Sequence, residues 1–252
     1  MTGRWIEDMA CPEVGRLLAE RWPVVVPIGA RAKQHGPHLP MCTDFLLARA
    51  LADGIAAVLP VLIAPVIDFG SYHAFARYPG SQSLRAETFM ALLRDVLNGL
   101  LDQGATAVAV VNTGFTTEEG VTLVLREMLL RRGARIGAAH LRTLSSASAR
   151  FLESGPGGHA DELETSLMLA IAPERVQMAY AADDPGRPAE PPLGVFAAPM
   201  VFADSAGPGR HVSATGARGN PTLATAAKGR AILAHMVTEL VAGLRPLCPG
   251  AT

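Results

Sequence analysis

One fifteen-residue segment, ARAKQHGPHLPMCTD, concentrates side chains that bind metals or transfer protons. It places His35, His38 and Asp44 within ten positions, and the glycine and two prolines between them predict a loop with a fixed, extended path. Imidazole and carboxylate groups are the usual protein ligands for zinc and manganese, and a rigid loop lowers the entropic cost of gathering them. Alone, the segment predicts either a metal-binding loop or a prolyl turn whose histidines cap backbone groups.

Apolar segments on both sides place this loop after a strand. The run PVVVPIGA is typical of a buried parallel strand, and TDFLLARALADGIAAVL predicts a helix with Thr43 or Asp44 near its N-cap. Further strands are predicted at PVLIAPVIDFG, ATAVAVVNTG and ARIGAAHLRTL, and further helices at HADELETSLMLAIAPERV and NPTLATAAKGRAILAHMVTELVAGL. Residues 180–221, rich in proline and glycine, are expected to form an irregular excursion with one short strand at GVFAAPMVF.

The alternation of strands and helices predicts the fold class. We expect a three-layer α/β/α sandwich with a central, mostly parallel sheet, formed by one domain over residues 1–252. Such sheets bind ligands at the carboxyl ends of their strands. The polar turns that begin at Ala30 and Asn112 both follow predicted strands, so the functional site is expected there.

Composition and charge narrow the class of partner. The net charge is −1 and the basic residues are scattered, which argues against nucleic acid or an anionic membrane as partner and favours a small molecule. Three cysteines without CxxC spacing argue against a disulfide framework and a structural zinc site. The N-terminus has no apolar signal-peptide core and no apolar run spans a membrane, so a soluble, cytoplasmic protein is expected.

Three segments together resemble the creatininase (creatinine amidohydrolase) family. PIGARAKQHGPHLPMCTD closely follows the family signature Gly-Ser-x-Glu-Gln-His-Gly-Pro-His-Leu-Pro-x-x-Thr-Asp. GGHADELETSLML is similar to the family's His-Ala-Gly-x-x-Glu-Thr-Ser, and GARGNPTLATAAKG to its Gly-x-x-Gly-Asp-Pro-x-x-Ala block. The resemblance implies a metal-dependent hydrolase of amide-like C–N bonds, a two-metal site and a homo-oligomeric assembly.

The resemblance also implies roles for individual residues. It makes His35 a metal ligand, Asp44 the bridging carboxylate and Glu164 a second carboxylate, while His159 becomes the catalytic or substrate-orienting histidine. Two positions depart from the pattern. Lys33 stands where the family has a ligand glutamate, and NTGFTT (112–117) stands where it has Asn-Gly-His-Gly-Gly-Asn; both belong to the same metal.

Lys33 changes the expected cofactor. An ammonium has no lone pair to donate and repels a divalent cation, so Lys33 and a metal at that position exclude each other unless burial deprotonates the lysine. We therefore predict that Lys33 substitutes for one cation. The alternatives are one divalent metal, zinc or manganese, held by His35, Asp44 and Glu164, or complete loss of metal.

Other polar residues are candidates for substrate binding. Tyr72 and His73 follow the second predicted strand and are expected either to line a pocket or to belong to a surface loop with aromatic anchors. His38, in the signature loop, and Asn112 and Thr113, in the altered turn, are assigned to the same role.

The function expected from these features is hydrolysis of a cyclic amide, or a related carbonyl C–N bond, in a small polar metabolite. His159 would deliver a proton to the departing nitrogen, Lys33 would stabilise the oxyanion, and Glu164 completes the catalytic set. Three alternatives stay open: hydrolysis of a C–C bond in a cyclic ketone of the inosose type, ring formation using Lys33, and non-catalytic binding of a small molecule.

Overall fold

The computed structural model describes residues 3–154, 158–188, 202–203, 211–213 and 215–250. Five parallel strands form a central sheet in the order β1-β3-β2-β4-β5. They are β1 (Arg4–Trp5), β2 (Val24–Ile28), β3 (Leu62–Ile63), β4 (Val108–Asn112) and β5 (Gly137–His140).

Helices cover both faces of this sheet. They are α1 (Cys11–Ala19), α2 (Thr43–Val58), α3 (Ala86–Asp102), α4 (Glu118–Arg132), α5 (Leu141–Ala147), α6 (Glu162–Ile171) and α7 (Ala226–Leu244). Within β2, Val24 and Val26 pack against α1, α3 and α4, whereas Val25 packs against α2, α5, α6 and α7. This alternation along one strand, buried at every position, confirms the predicted three-layer α/β/α sandwich.

The sheet order creates a crevice above its centre. The chain leaves β2 through α2 to reach β3 on one side, and leaves β3 through α3 to reach β4 on the other side of β2. The carboxyl ends of β2 and β4 therefore form the point where the strand order reverses, which is where open parallel sheets bind ligands.

The observed elements differ from the predicted ones in three places. The edge strand β1 was not predicted, because two residues carry no periodicity. Strand β5 ends at His140, and the remainder of the predicted strand ARIGAAHLRTL begins α5. In the excursion, β6 (Arg187–Pro188), β7 (Phe202–Ala203) and β8 (His211–Val212) form a second, small sheet. The predicted strand GVFAAPMVF lies outside the described residues except for its last one, which begins β7.

Within the described residues, no helix has the length and apolar character that crossing a bilayer requires.

Candidate active site

A buried ion pair between Lys33 and Asp44 lies at the carboxyl end of β2. The distance from Lys33 Nζ to Asp44 Oδ2 is 2.8 Å, and the two side chains are 2% and 1% exposed. The other carboxylate oxygen, Oδ1, lies 2.9 Å from His35 Nε2. Both oxygens of Asp44 are therefore engaged by cationic or N–H groups of the loop that follows β2.

Close backbone packing fixes Asp44 in this position. A Cβ atom at Gly29 would lie 2.3 Å from the Asp44 carbonyl oxygen, so only glycine lets the start of α2 approach β2 this closely. The Thr113 hydroxyl lies 2.8 Å from the same carbonyl and 3.0 Å from the carbonyl of Ile28. Thr113 thus ties the ends of β2 and β4 to the first turn of α2.

Asp44 is a permanent anion in this setting. Burial alone would raise the pKa of its carboxyl group, but the charges and hydrogen bonds of Lys33 and His35 outweigh burial and hold this pKa below its usual range. His35 in turn donates from Nδ1 to the Lys33 carbonyl oxygen over 2.8 Å. The backbone of Lys33 therefore orients the imidazole that shares Asp44 with its side chain.

His159 approaches this group from the segment before α6. Its backbone pairs with that of Arg218 in both directions, at 2.9 and 2.7 Å. Its Nε2 faces two oxygens of Gln34, the carbonyl at 2.8 Å and Oε1 at 3.1 Å, so Nε2 carries the proton. The ring packs on Phe75, with centroids 4.1 Å apart, and lies 4.9 Å from the ring of His35. Burial, supported by the charges of His35 and Lys33, holds the pKa of His159 well below its usual range.

Glu164 completes the group from the first turn of α6. The N-cap residue Asp161 accepts the Glu164 backbone N–H, and the backbone N–H of Ala160 donates to Glu164 Oε2 over 2.7 Å. Ala160 holds that N–H in place with a left-handed φ of 50°. Glu164 Oε1 is buried and makes no hydrogen bond within the described part of the chain. Burial raises the pKa of this carboxyl group.

These side chains can hold one divalent ion. Among the described residues, one ligand atom from each of His35, His159 and Glu164 lies within 4.8 Å of the other two, and all three residues are buried. His35 Nδ1 and His159 Nε2 each donate to a carbonyl oxygen, which is the usual way proteins orient imidazole ligands. His35 Nε2 would exchange its contact with Asp44 Oδ1 for the ion. The buried Oε1 of Glu164 supplies an acceptor that lacks a donor. A centre with two ions does not fit, because Lys33 contacts Oδ2 of Asp44, the carboxylate that the family resemblance makes the bridge between two ions.

The other residues assigned to substrate binding are placed differently. His38 Nε2 bonds to the Thr165 hydroxyl at 2.8 Å, and burial, together with His35, lowers the pKa of His38 to about 4. The Tyr72 hydroxyl donates to backbone carbonyls, the nearest being that of Gln82 at 2.7 Å. Burial, with the charges of Asp44 and Asp68, raises the pKa of Tyr72 to about 12. These side chains join loops to one another.

Three more of these candidates are directed away from the ion-binding group. Both polar atoms of the Asn112 side chain bond within its own turn, to Gly114 and Thr117, and Thr113 bonds to backbone as described above. His73 is exposed and bonds to the Ser71 hydroxyl at 3.0 Å. A small cavity beside Asp44, lined also by Tyr72, Gly114 and Thr116, is the open space at this end of the sheet.

Sequence reasoning missed two residues of the site. Phe75 packs against His159 and lies 5.2 Å from Lys33 Nζ, but an isolated aromatic residue in a turn-rich segment gave no signal. Gln34 holds His159, and its side-chain amide donates to the Thr215 carbonyl over 3.1 Å. Its place between Lys33 and His35 in the signature was the available clue.

Comparisons with known proteins give matches along most of the chain. A family model described as "Creatininase: Creatinine amidohydrolase" matches residues 7–244. The chain is 31% identical over 237 residues to the mycofactocin precursor peptide peptidase of Mycobacterium tuberculosis, covering 86% of this chain and 82% of that protein. It is 29% identical over 249 residues to the creatinine amidohydrolase of Pseudomonas putida, with 90% of each chain covered. The 3-dehydro-scyllo-inosose hydrolase of Thermotoga maritima is 25% identical over 191 residues, covering 72% and 60%.

Solved structures show the same fold. A creatininase variant described as the Zn-Zn type superimposes with a TM-score of 0.79 at 25% identity, covering 99% of this chain and 100% of that one. A structure described as "Creatininase Mn" gives a TM-score of 0.81 at 25% identity, covering 98% and 99%.

Proposed function

Because the chain belongs to the creatininase (creatinine amidohydrolase) family, we propose that it opens a cyclic amide in a small polar metabolite. The observation that carries this proposal is the buried group formed by Lys33, Asp44, His35, His159 and Glu164 at the carboxyl ends of the central strands. Hydrolysis adds one water across the C–N bond and yields a carboxylate and an amine.

Lys33 supplies the positive charge that this reaction needs. As water adds to the carbonyl carbon, the carbonyl oxygen becomes an oxyanion, and a preorganised donor at that point contributes about 3 kcal/mol. Asp44 engages one side of the ammonium at 2.8 Å. An ammonium has further N–H groups, and we assign to Lys33 both the stabilisation of the oxyanion and delivery of a proton to the departing nitrogen.

His159 takes a different role from the proton donor expected from the sequence. Its Nε2 proton is committed to Gln34, so we assign His159, with His35 and Glu164, to holding a divalent ion. When bound, such an ion polarises a carbonyl group and lowers the pKa of water toward 7. Phe75, packed on the His159 ring, excludes solvent from the same side.

A substrate panel tests the proposal. Purified protein loaded with zinc or manganese is incubated with lactams, cyclic imides and cyclic guanidines, and ring opening is followed by mass spectrometry as the gain of one water. Lys33→Met should lower kcat about 10²- to 10³-fold on any substrate found, which corresponds to loss of one oxyanion donor. The matched control is Lys228→Met, which removes the lysine that pairs with the buried carboxylate of Glu162. Absence of turnover across the panel refutes the proposed substrate class.

Peptides and cyclic ketones belong in the same panel. The relatives from mycobacteria act, by their names, on a precursor peptide, and the Thermotoga relative acts on an inosose. Cleavage of a linear peptide or of a ring C–C bond, with no amide ring opened, would replace the proposed substrate. A Schiff base at Lys33 is disfavoured because the amine forms an ion pair with Asp44 and lacks the lone pair that attack on a carbonyl requires.

Four finer assignments accompany this proposal. Zinc or manganese is the proposed ion, since creatininase structures are described with both. We also propose one domain over residues 1–252, a cytoplasmic location and a homo-oligomer. A near-neutral charge and a cysteine set without CxxC spacing support a small-molecule partner in a reducing compartment, with neither nucleic acid nor membrane as partner.

A further inference from the structure

The ammonium of Lys33 occupies one side of a buried carboxylate. Lys33 and Asp44 are 2% and 1% exposed, and their 2.8 Å contact uses Asp44 Oδ2. The remaining oxygen, Oδ1, faces His35 Nε2 at 2.9 Å. An ion bound at Oδ2 would lie beside the lysine ammonium, whose positive charge repels it.

Backbone contacts hold Lys33 in this position. Its N–H donates to the Met41 carbonyl oxygen over 3.1 Å, and its own carbonyl oxygen accepts from His35 Nδ1. The side chain also lies beside the Phe75 ring, 5.2 Å from Nζ to the ring centroid. Rotation of the side chain toward solvent would leave Asp44 buried without its cation, which costs several kcal/mol.

The neighbouring turn offers no carboxylate or imidazole ligand for a second ion. Gly114 has no side chain, and the Asn112 side chain bonds to Gly114 and to the Thr117 hydroxyl. Thr113, also in this turn, bonds to the carbonyls of Ile28 and Asp44. The buried Thr116 hydroxyl makes no hydrogen bond within the described residues, so this turn offers a second ion only a neutral oxygen, and a further charged ligand beside Asp44 would have to come from position 33.

We infer that Lys33 is a covalently attached substitute for one of the two ions of the Zn-Zn creatininase, so that this chain binds a single divalent ion at His35, His159 and Glu164. The inference deepens the proposed function, because it fixes how many ions the same site holds. The lysine supplies one positive charge to Asp44 without an ion-binding equilibrium, while the fully buried Glu164 remains for the ion.

Counting ions tests this inference without a substrate. Full-length protein is stripped with a chelator, reloaded with zinc and freed of excess metal, and zinc per chain is measured by elemental analysis and by calorimetric titration. The wild-type chain should bind one ion. Lys33→Glu removes the cation and adds a carboxylate beside Asp44, so it should bind two. Lys228→Met, at a buried lysine–carboxylate pair elsewhere, should still bind one.

Each measured ion count either supports or overturns the inference. A wild-type value of two or of zero overturns the inference, and so does a folded Lys33→Glu variant that still binds one. If circular dichroism shows that Lys33→Glu does not fold, Lys33→Gln replaces it, and a second, weaker zinc-binding event in the titration is the expected result. Failure of the substrate panel leaves the ion count untouched, so failure of the proposed function is distinguishable.

Discussion

Gln34 fixes the tautomer of His159 with two oxygens at once. Its backbone carbonyl and its Oε1 lie 2.8 and 3.1 Å from the same imidazole nitrogen, which therefore carries the proton. The Gln34 amide nitrogen donates to the Thr215 carbonyl oxygen over 3.1 Å, so the residues before α7 hold Gln34 in turn. The imidazole of His159 thus depends on a residue of the loop after β2.

Replacing Gln34 should lower the affinity for the ion more than it lowers the stability of the fold. Gln34→Leu removes Oε1 and the bond to Thr215 but leaves the backbone carbonyl, so His159 becomes less firmly oriented. We expect the dissociation constant for zinc to rise about 10- to 100-fold, as is usual when a residue that orients a metal ligand is lost. Calorimetric titration measures it, with exposed Gln103→Leu as control. Equal zinc affinity in both variants would show that Gln34 does not orient a ligand.

Gly216 should tolerate no side chain, because a Cβ atom there would lie 2.0 Å from the Gln34 amide nitrogen and its φ is 71°. Gly216→Ala is expected to lower the melting temperature, since alanine at positive φ is strained, and to weaken zinc binding by displacing Gln34. Gly243→Ala is the matched control, because nothing lies within 4 Å of its Cβ position and it belongs to α7. The free energy of unfolding of that control should rise by up to about 1 kcal/mol, because alanine is favoured over glycine inside a helix. Similar melting temperatures for the two variants would contradict this account.

Lys228 should be important for stability and unimportant for ion binding. Its ammonium lies 2.5 Å from Glu162, a side chain with no exposed surface, and 2.8 Å from the Leu223 carbonyl. Lys228→Met leaves Glu162 buried without its cation and should cost about 3 kcal/mol in the free energy of unfolding. Urea denaturation measures this cost, and Lys228→Arg, which keeps the charge, should recover most of it. A loss below about 0.5 kcal/mol, the range of ordinary surface substitutions, would rule out the ion pair as a source of stability.

Acid should destabilise the protein partly through Glu162. Burial raises the pKa of this carboxyl group, but the bonds from Lys228 and Ser154 outweigh burial and lower the pKa to about 2. The pKa of a glutamate in the unfolded chain is about 4.3, so the unfolded chain binds the proton more readily than the folded protein does. The stabilisation is complete above that value and is lost as the pH falls toward about 2. Urea midpoints measured between pH 6 and pH 2.5 should fall more steeply for wild type than for Glu162→Gln; parallel curves would exclude this contribution.

The layers of the fold and the position of the site were predictable from the sequence. Strand β2 is a continuous apolar run, and a glycine- and proline-bounded polar loop follows it, so the location of Lys33, His35 and Asp44 at a strand end followed from local pattern. The prediction that Lys33 excludes a metal followed from charge alone and stays a prediction; the 2.8 Å contact with Asp44 supports it.

The remaining features depended on contacts between distant segments. Sequence pattern does not distinguish a polar side chain that faces a pocket from one that bonds to backbone. The backbone contacts of Asn112 and Thr113 were therefore not predictable, and their assignment to substrate stays a prediction. His73 was uncertain for the same reason, and it lies at the surface. The role of Gln34 depends on Thr215, 181 positions later, a distance over which no periodicity carries information.

The bond between His159 and Gln34 joins residues 125 positions apart, with helices α2 to α5 and strands β3 to β5 between them in the chain. An emerging polypeptide that has completed β1 to β5 therefore possesses Lys33, His35 and Asp44 but only one of the three ion-binding side chains. For the proposed ion site, metal capture is therefore expected only after α6 has docked. Zinc uptake would then report that the whole chain has reached its native arrangement, and partly folded chains would leave the cellular metal pool undisturbed.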